Sequence, residues 1–150
     1  MIGLAAAAVV GGVEVQGQAA DAEGVRAALS AYYAALNARD IRAMEAVWSR
    51  DAEPMMIHPV GPHAHAAAVG WEAVRRSFEE AWRRFEVFSV TEPVQVRVGQ
   101  GGAVVVATTP VRSKMRGGEA LDYTALATFA FERRDARWLL VHNHVSRVPQ

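Results

Sequence analysis

The chain has 150 residues, of which 51% are apolar. This is enough for one domain with a packed core but too short for two domains that each have a core of ordinary size. Its 16 basic and 16 acidic residues cancel to a formal net charge of zero, and no basic stripe stands out, so we expect neither nucleic acid nor a membrane as partner. The absence of cysteine excludes disulfides, thiol catalysis and thiolate metal sites.

The first 20 residues are apolar and small, and two interpretations of them stay open. Residues 4–10 resemble the hydrophobic region of a signal peptide, and residues 17–19 form a passable cleavage site, whereas the positive start is missing and Glu14 interrupts the apolar run. A signal-peptide remnant favours export to the periplasm. A disordered leader or an added edge segment leaves the protein in the cytoplasm. The run is too short for a transmembrane helix.

Three helices are predicted in the first 85 residues. Residues 21–38 repeat apolar side chains at helical spacing. Asp40 is predicted to cap a second, shorter helix, because its carboxylate can accept hydrogen bonds from the first free backbone N–H groups. Residues 71–85 form the third helix, with large apolar side chains on one side.

The remaining pattern has a period of two and predicts strands. The predicted strands are 54–58, 87–98 with an interruption at Pro93, 103–112, 119–131 and 137–147. Residues 61–70 are predicted to be a loop, and Gly117-Gly118 a hairpin turn. Helices followed by an antiparallel meander indicate an α+β fold, with residues 21–150 as a single domain.

Three short markers occur along this domain in a fixed order. They are Tyr32-x5-Ala38-Arg39-Asp40, then His58-Pro59-Val60-Gly61 followed by Gly70-Trp71-Glu72-Ala73-Val74, and then Arg137-Trp138-Leu139-Leu140-Val141-His142-Asn143-His144-Val145-Ser146. Together they resemble the nuclear transport factor 2-like superfamily, which covers ketosteroid isomerases, SnoaL-like polyketide cyclases and the association domain of calcium/calmodulin-dependent protein kinase II. The resemblance implies a cone-shaped fold, in which three N-terminal helices pack on a curved, mainly antiparallel sheet and enclose a pocket. It does not specify one activity, because this fold hosts many functions.

The resemblance to ketosteroid isomerases implies roles for two residues. Tyr32 falls where these enzymes have their oxyanion-binding tyrosine, and His58 falls where they have an aspartate base, a role that neutral imidazole can also fill. Their second oxyanion donor falls near Ala125 or Ala127, neither of which can donate a hydrogen bond. Asp122 is close in sequence but is predicted on the opposite face of its strand. The isomerase pattern is therefore only partly met.

Strict alternation divides the last strand into two faces. The first set is Trp138, Leu140, His142, His144 and Ser146, and the second is Leu139, Val141, Asn143, Val145 and Arg147. Matched to the related proteins, the second set faces the pocket and supplies Asn143 and Arg147 as its polar groups. The first set then lies on the outer sheet face, where related proteins often dimerise, so we predict a homodimer through this face and a structural or interface role for His142 and His144.

Several large side chains are core residues in the plainest interpretation, and by family position they also line the pocket. The predicted ligand-binding residues are Trp48, Met56, Phe78, Trp82, Tyr123, Val145 and Arg147. A mostly apolar cavity with few polar groups suits a small apolar or aromatic molecule.

The histidines also allow a metal-binding interpretation, which we do not favour. His63 and His65 form one His-x-His pair, and His142 and His144 form another. A zinc site commonly needs three or four ligands, and the predicted faces separate His58 from the C-terminal pair. We therefore predict no metal and no cofactor.

Three hypotheses for function remain. The first is a cofactor-free acid–base enzyme of the isomerase, cyclase or dehydratase kind, which acts on a small apolar carbonyl compound with His58 as base and with Tyr32 and Asn143 as groups that bind the oxygen. The second is a non-catalytic ligand-binding or homodimeric association module, and the missing second oxyanion donor favours it. The third is a metal-dependent protein that uses the histidines.

Overall fold

The structure is a computed structural model and describes residues 10–50, 53–57, 67–90, 95–99 and 102–148. Its helices are α1 Val10–Ala38, α2 Ile41–Val47 and α3 Trp71–Arg84. The predicted start of α1 at residue 21 was wrong, because the helix continues back to Val10. The fate of residues 1–20 stays a prediction. Within the described residues, no helix is both long and apolar enough to cross a membrane.

Within the described ranges, seven strands form one mixed, mainly antiparallel sheet. They are β1 Met55–Ile57, β2 Ala67–Val69, β3 Phe85–Val90, β4 Gln95–Gly99, β5 Gly102–Met115, β6 Ala120–Arg134 and β7 Arg137–Arg147. The strand order is β2-β1-β7-β6-β5-β3, with β4 also paired to β5, and the β1–β7 pair is parallel. The sheet curls into a half-barrel, and the three helices pack on its concave side, which confirms the predicted α+β cone.

Two segments differ from their sequence predictions. The region predicted as one interrupted strand at 87–98 is two separate strands, of which β4 pairs with the start of β5 and β3 with its end. Part of the predicted loop 61–70 is strand β2, because residues 67–69 pair antiparallel with β1. Both differences come from pairing with strands that are distant or that lie across a turn, which local sequence patterns do not report.

The core lies between the helices and the concave face of β5, β6 and β7. Burial alternates along β5 and β6, so that successive residues face the core and the outside in turn. The buried residues of β6 include Phe129 and Phe131, which contact helix residues of the same core cluster, such as Tyr32 and Leu36. Among the described residues, this core cluster therefore covers only the side of the sheet that faces the helices.

A bulge in β7 reverses the face of half this strand, and it corrects the strict alternation predicted from the sequence. Ala130 pairs with His142 but Phe131 pairs with Leu140, so Val141 is an extra residue between them. As a result, Trp138 and Leu140 are buried in the core, although they were predicted on the outer face. Beyond the bulge, Asn143 is buried and His144 is exposed, as predicted.

Hydrogen bonds fix both ends of α2. The Asp40 carboxylate accepts hydrogen bonds from the backbone N–H groups of Arg42 at 2.9 Å and Ala43 at 3.1 Å, which confirms it as the cap of α2. At the other end of α2, the Ser49 N–H donates to the Leu140 carbonyl at 2.9 Å. These contacts hold Trp48 between α2 and β7, beside the core.

Candidate functional site

Tyr32 lies in the middle of α1 on the side that faces the sheet. It is 1% exposed, and its ring meets Phe129 of β6 at 5.3 Å and Phe78 of α3 at 6.3 Å, both edge-on. Burial, with a smaller contribution from neighbouring Tyr33, raises the pKa of the Tyr32 hydroxyl far above its ordinary value of 10.0. The hydroxyl therefore remains protonated at neutral pH, which suits a hydrogen-bond donor rather than a base.

Asn143 is the buried amide of the concave face. It is 0% exposed, and its neighbours across the sheet are Met56 in β1 and Phe129 in β6. Neither Oδ1 nor Nδ2 of Asn143 has a hydrogen-bond partner among the described residues. An amide that is removed from water without partners costs about 1–3 kcal/mol per unmet group, so Asn143 is an energetically unfavourable choice for a purely structural position.

Two tryptophans add polar groups to the same interior. Trp48 contacts Phe78 edge-on at 6.4 Å between ring centroids, and Trp82 stacks on Phe78 at 5.6 Å. The indole N–H groups of Trp48 and Trp82 are both buried without a partner among the residues that the structure describes. From the sequence, these residues were predicted only as apolar lining of the pocket, because the hydrogen-bonding state of an indole N–H depends on tertiary packing.

Toward the C-terminal end of β7, the concave face changes from large to small side chains. Ala127 pairs with Val145, and Ala125 pairs with Arg147. Beyond these, the Arg147 guanidinium lies 5.2 Å from the centre of the Tyr123 ring. Burial raises the pKa of the Tyr123 hydroxyl, and the charge of Arg147 opposes the shift. Small residues thus separate the aromatic core cluster from a second cluster around Tyr123 on the same face.

Val145 joins the two groups. It packs against the main core cluster, which contains Tyr32 and Phe129, and also against a second cluster of Val111, Tyr123 and Ala125. The predicted pocket residues of the helices and of β1, β6 and β7 therefore lie along one continuous face.

His58, the predicted base, lies outside the described residues, as do His63 and His65. The described part of β1 ends at Ile57, one residue before His58, and its Met56 is the partner of Asn143. The catalytic role of His58 stays a prediction, and so do the roles of Tyr32 and Asn143.

Asp122 lies on the outer face, as predicted. Its carboxylate forms an ion pair with Arg112 at 3.0 Å, and this hydrogen-bonded arginine lowers the pKa of Asp122. Ala125 and Ala127, at the family position of the second oxyanion donor, are both buried on the concave face and offer no hydrogen bond. A second acidic donor is therefore absent from these positions.

The C-terminal histidine pair does not assemble a metal site with other described residues. His144 is exposed, and His142 is partly buried beside the Met55 backbone, on the face opposite Asn143. Burial lowers the pKa of His142, neighbouring His144 adds to the shift, and the hydrogen bond to the Met55 backbone opposes it. No group of three or more His, Asp or Glu side chains within the described ranges has the arrangement of metal ligands.

A concave sheet covered by helices is the fold of the nuclear transport factor 2-like superfamily, and this chain has that fold. More narrowly, the chain belongs to the SnoaL-like domain family, whose model matches residues 25–150. No curated protein matches the chain.

Solved structures of the same fold carry different functional names. A ketosteroid isomerase-like protein from Erwinia carotovora atroseptica SCRI1043 is 20% identical, with a TM-score of 0.74 over 87% of this chain and 98% of that one. A type 3 hexachlorocyclohexane dehydrochlorinase from Novosphingobium barchaimii LL02 is 16% identical, with a TM-score of 0.71 over 87% and 88%. A nuclear transport factor 2-like superfamily protein from Salmonella enterica serovar Typhimurium LT2 is 18% identical, with a TM-score of 0.71 over 89% and 92%. At these identities the likeness shows the fold alone.

Proposed function

We propose that this protein is a cofactor-free acid–base enzyme that acts on a small, largely apolar carbonyl compound held between the helices and the concave face. The observation that carries the proposal is Asn143, an amide that is fully buried on this face while both of its polar atoms lack partners among the described residues. A bound carbonyl or hydroxyl group would satisfy such an amide, and the surrounding aromatic side chains would cover the apolar body of the ligand.

The proposed chemistry divides the work between three residues. His58 removes a proton from the carbon next to the carbonyl, and the electron pair of the broken C–H bond moves to the oxygen to form an enolate. The Tyr32 hydroxyl, which burial keeps protonated, and the Asn143 amide N–H donate hydrogen bonds to that oxygen. Return of the proton to another carbon gives isomerisation, and loss of a leaving group gives elimination.

The names of two proteins of the same fold support a reaction of this class. One is a ketosteroid isomerase-like protein and the other a dehydrochlorinase. Their low identity leaves the substrate of this chain open, so the proposal specifies a proton transfer rather than a named compound.

Proton exchange in deuterated water tests this step without knowledge of the true substrate. Acetophenone and cyclohexanone both carry acidic protons next to a carbonyl, and deuterium incorporation there can be followed by NMR. We expect the enzyme to speed exchange, His58→Ala to lower the rate by about 10²–10⁴-fold, and Tyr32→Phe to lower it by about 10²–10³-fold.

Arg76→Gln, on the exposed side of α3, is the matched control and should exchange at the wild-type rate. Exchange that is no faster with wild-type protein than with His58→Ala would contradict the enzymatic proposal. Retained binding of the ketones in that case would favour the alternative, a non-catalytic ligand-binding module.

The outer face of the sheet supports a second proposal, namely that two copies of this chain associate. Large apolar side chains are exposed there on four strands, namely Met55, Val69, Val104, Val106 and Leu126. Cross-strand pairing places them around His142 and His144, since Met55 pairs with His142 and Thr128 connects His144 to Val106. An exposed apolar face of this kind is typical of an interface.

We propose that a second copy of this chain covers the face. Its charged neighbours form internal ion pairs, such as Arg112 with Asp122, so two copies meet without strong like-charge repulsion. Leu126→Glu should convert the dimer to monomer in sedimentation analysis, while Ala34→Glu on the exposed side of α1 should not. A monomeric wild-type protein would refute the dimer.

A further inference from the structure

A cleft whose lining includes neither Asn143 nor Tyr32 lies between α2 and the turn that joins β6 to β7. Its volume is about 460 Å³, within the range of small-molecule sites. The lining residues are Arg42, Glu45, Ala46, Trp48, Arg50, Arg134, Asp135, Arg137 and Leu139. Four arginines from three parts of the chain thus converge on one opening, in a protein whose overall formal charge is zero.

The four arginines are not equivalent. Arg50 forms an ion pair with Glu45, and Arg134 forms one with Glu132 at 2.6 Å, so their charges are largely compensated. Arg42 has no ion-pair partner among the described residues, and the same is true of Arg137. Among the described lining residues, the cleft therefore presents two guanidinium groups without ion-pair partners, and its carboxylates are those of Glu45, which is paired with Arg50, and Asp135.

Arg137 is held in place rather than free in solvent. One of its guanidinium nitrogens donates a hydrogen bond to the Ala46 carbonyl at 2.8 Å, and this contact ties β7 to α2. The remaining N–H groups of the planar guanidinium are left to bind another acceptor, and the fork geometry suits a carboxylate or a phosphate. Holding the side chain in advance reduces the entropy that a ligand must overcome.

Apolar side chains also line the cleft, namely those of Ala46 and Leu139, while Trp48 borders it but is only 2% exposed. Bare inorganic ions gain nothing from such a surface, whereas an organic anion can place its apolar body there and its charge against the arginines. Arginines beside an apolar surface therefore indicate an organic anion rather than an inorganic ion.

We propose that this cleft binds a small organic anion, with a carboxylate or phosphate against Arg42 and Arg137 and an apolar body over Ala46 and Leu139. The site is separate from the proposed catalytic interior and does not depend on it. Trp48 borders the cleft, but its ring packs against Phe78 in the interior and is almost fully buried.

Titration calorimetry with phenyl phosphate tests the proposal, with benzyl alcohol as the uncharged analogue. We expect saturable binding of phenyl phosphate alone, and a loss of about tenfold in affinity on Arg42→Gln or Arg137→Gln, since each removes a charge-assisted hydrogen bond. Arg76→Gln makes the same change in net charge on α3 and should leave the affinity unchanged.

Two further variants test the charge of Asp135 and the independence of the cleft from Asn143. Asp135→Asn should increase affinity about threefold, because it removes an exposed opposing charge, and asparagine tolerates the positive φ of 45° at this position. Asn143→Leu should leave the affinity as it is, and this separates the cleft from the interior. The absence of saturable binding, or equal affinity in wild-type protein and Arg42→Gln, would overturn the proposal even if Arg137→Gln fails to fold.

Discussion

At the scale of single residues, the buried amide of Asn143 needs an explanation, because both of its polar atoms are removed from water. Its amide is buried between Met56 and Phe129, and neither polar atom has a partner among the described residues. Leucine has the same branching and the same number of side-chain heavy atoms but no polar atoms, so it would suit the same position in a purely structural core once its larger methyl groups are accommodated. A ligand-binding role explains the amide, because a site that must hold a polar atom gives up stability for function.

We expect Asn143→Leu to raise the free energy of unfolding by about 1–3 kcal/mol, the cost of the unmet amide groups. Urea denaturation measures this difference directly. The same variant should lose binding of small ketones. A less stable Asn143→Leu protein would mean that the amide is satisfied in the folded chain, and would remove the main observation behind the interior site.

The turn between β6 and β7 holds two non-glycine residues in the left-handed region. Asp135 has a φ of 45° and Ala136 a φ of 63°. Glycine adopts this conformation without steric cost, so Ala136→Gly should stabilise the protein by about 0.5–1 kcal/mol in thermal or urea unfolding. The same substitution at Ala34, on the exposed side of α1, should destabilise it by about 1 kcal/mol. Equal effects at both positions would argue against strain in the turn.

At the scale of elements, local patterns were sufficient where an element depends on its own residues. The carboxylate of Asp40 caps α2 as predicted, and the third predicted helix corresponds closely to α3. Local patterns failed where an element depends on distant partners. Strand β2 exists because residues 67–69 pair with β1, and the bulge at Val141 shows only in the register between β6 and β7.

The same distinction applies to the candidate site. The burial of Tyr32 and Asn143 on the concave side was predictable, because each lies on the apolar face of its element or at the matched family position. The unpaired indole groups of Trp48 and Trp82 were not, since hydrogen-bond partners come from the whole fold. The inward position of Trp138 was missed because one extra residue reverses every side chain before it.

The packing of α1 on β7 depends on Gly24. A Cβ atom at this position would lie 2.6 Å from Cδ1 of Trp138, well inside normal contact distance. Gly→Ala usually stabilises a helix by about 1 kcal/mol, but Gly24→Ala should destabilise this protein by about 1–3 kcal/mol through overpacking. In a Trp138→Leu background the ordinary gain should return. A stabilised single variant would show that Trp138 moves aside at little cost.

At the scale of the whole molecule, the two faces of the sheet differ in composition and exposure. The concave face holds Asn143 and the aromatic core, while the outer face exposes apolar residues around His142 and His144. The Arg42–Arg137 cleft lies near the opposite end of β7 from Arg147. One strand therefore contributes to the interior site, to the proposed interface and to the proposed anion site.

Stability should depend on pH through His142. Burial lowers the pKa of this histidine below the value of 6.5 that it has in the unfolded chain, so the unfolded state binds its proton first as pH falls. The free energy of unfolding should decrease as pH drops through 6.5 toward the lower folded pKa, and His142→Gln should flatten this part of the profile. Urea unfolding between pH 7.5 and 5 measures it. An unchanged slope in His142→Gln would assign the dependence to other groups.

The side-chain amide of Asn143 is the most direct probe of the proposed small-molecule site on the concave face. A titration of ¹⁵N-labelled protein with acetophenone should shift the Asn143 Nδ2 resonances in a saturable manner, together with the indole resonances of Trp48 and Trp82. Saturable shifts at these buried groups, with Arg76 unaffected, are the expected result. Asn143 resonances that stay unmoved at saturating ketone, or shifts confined to exposed residues, would contradict the claim.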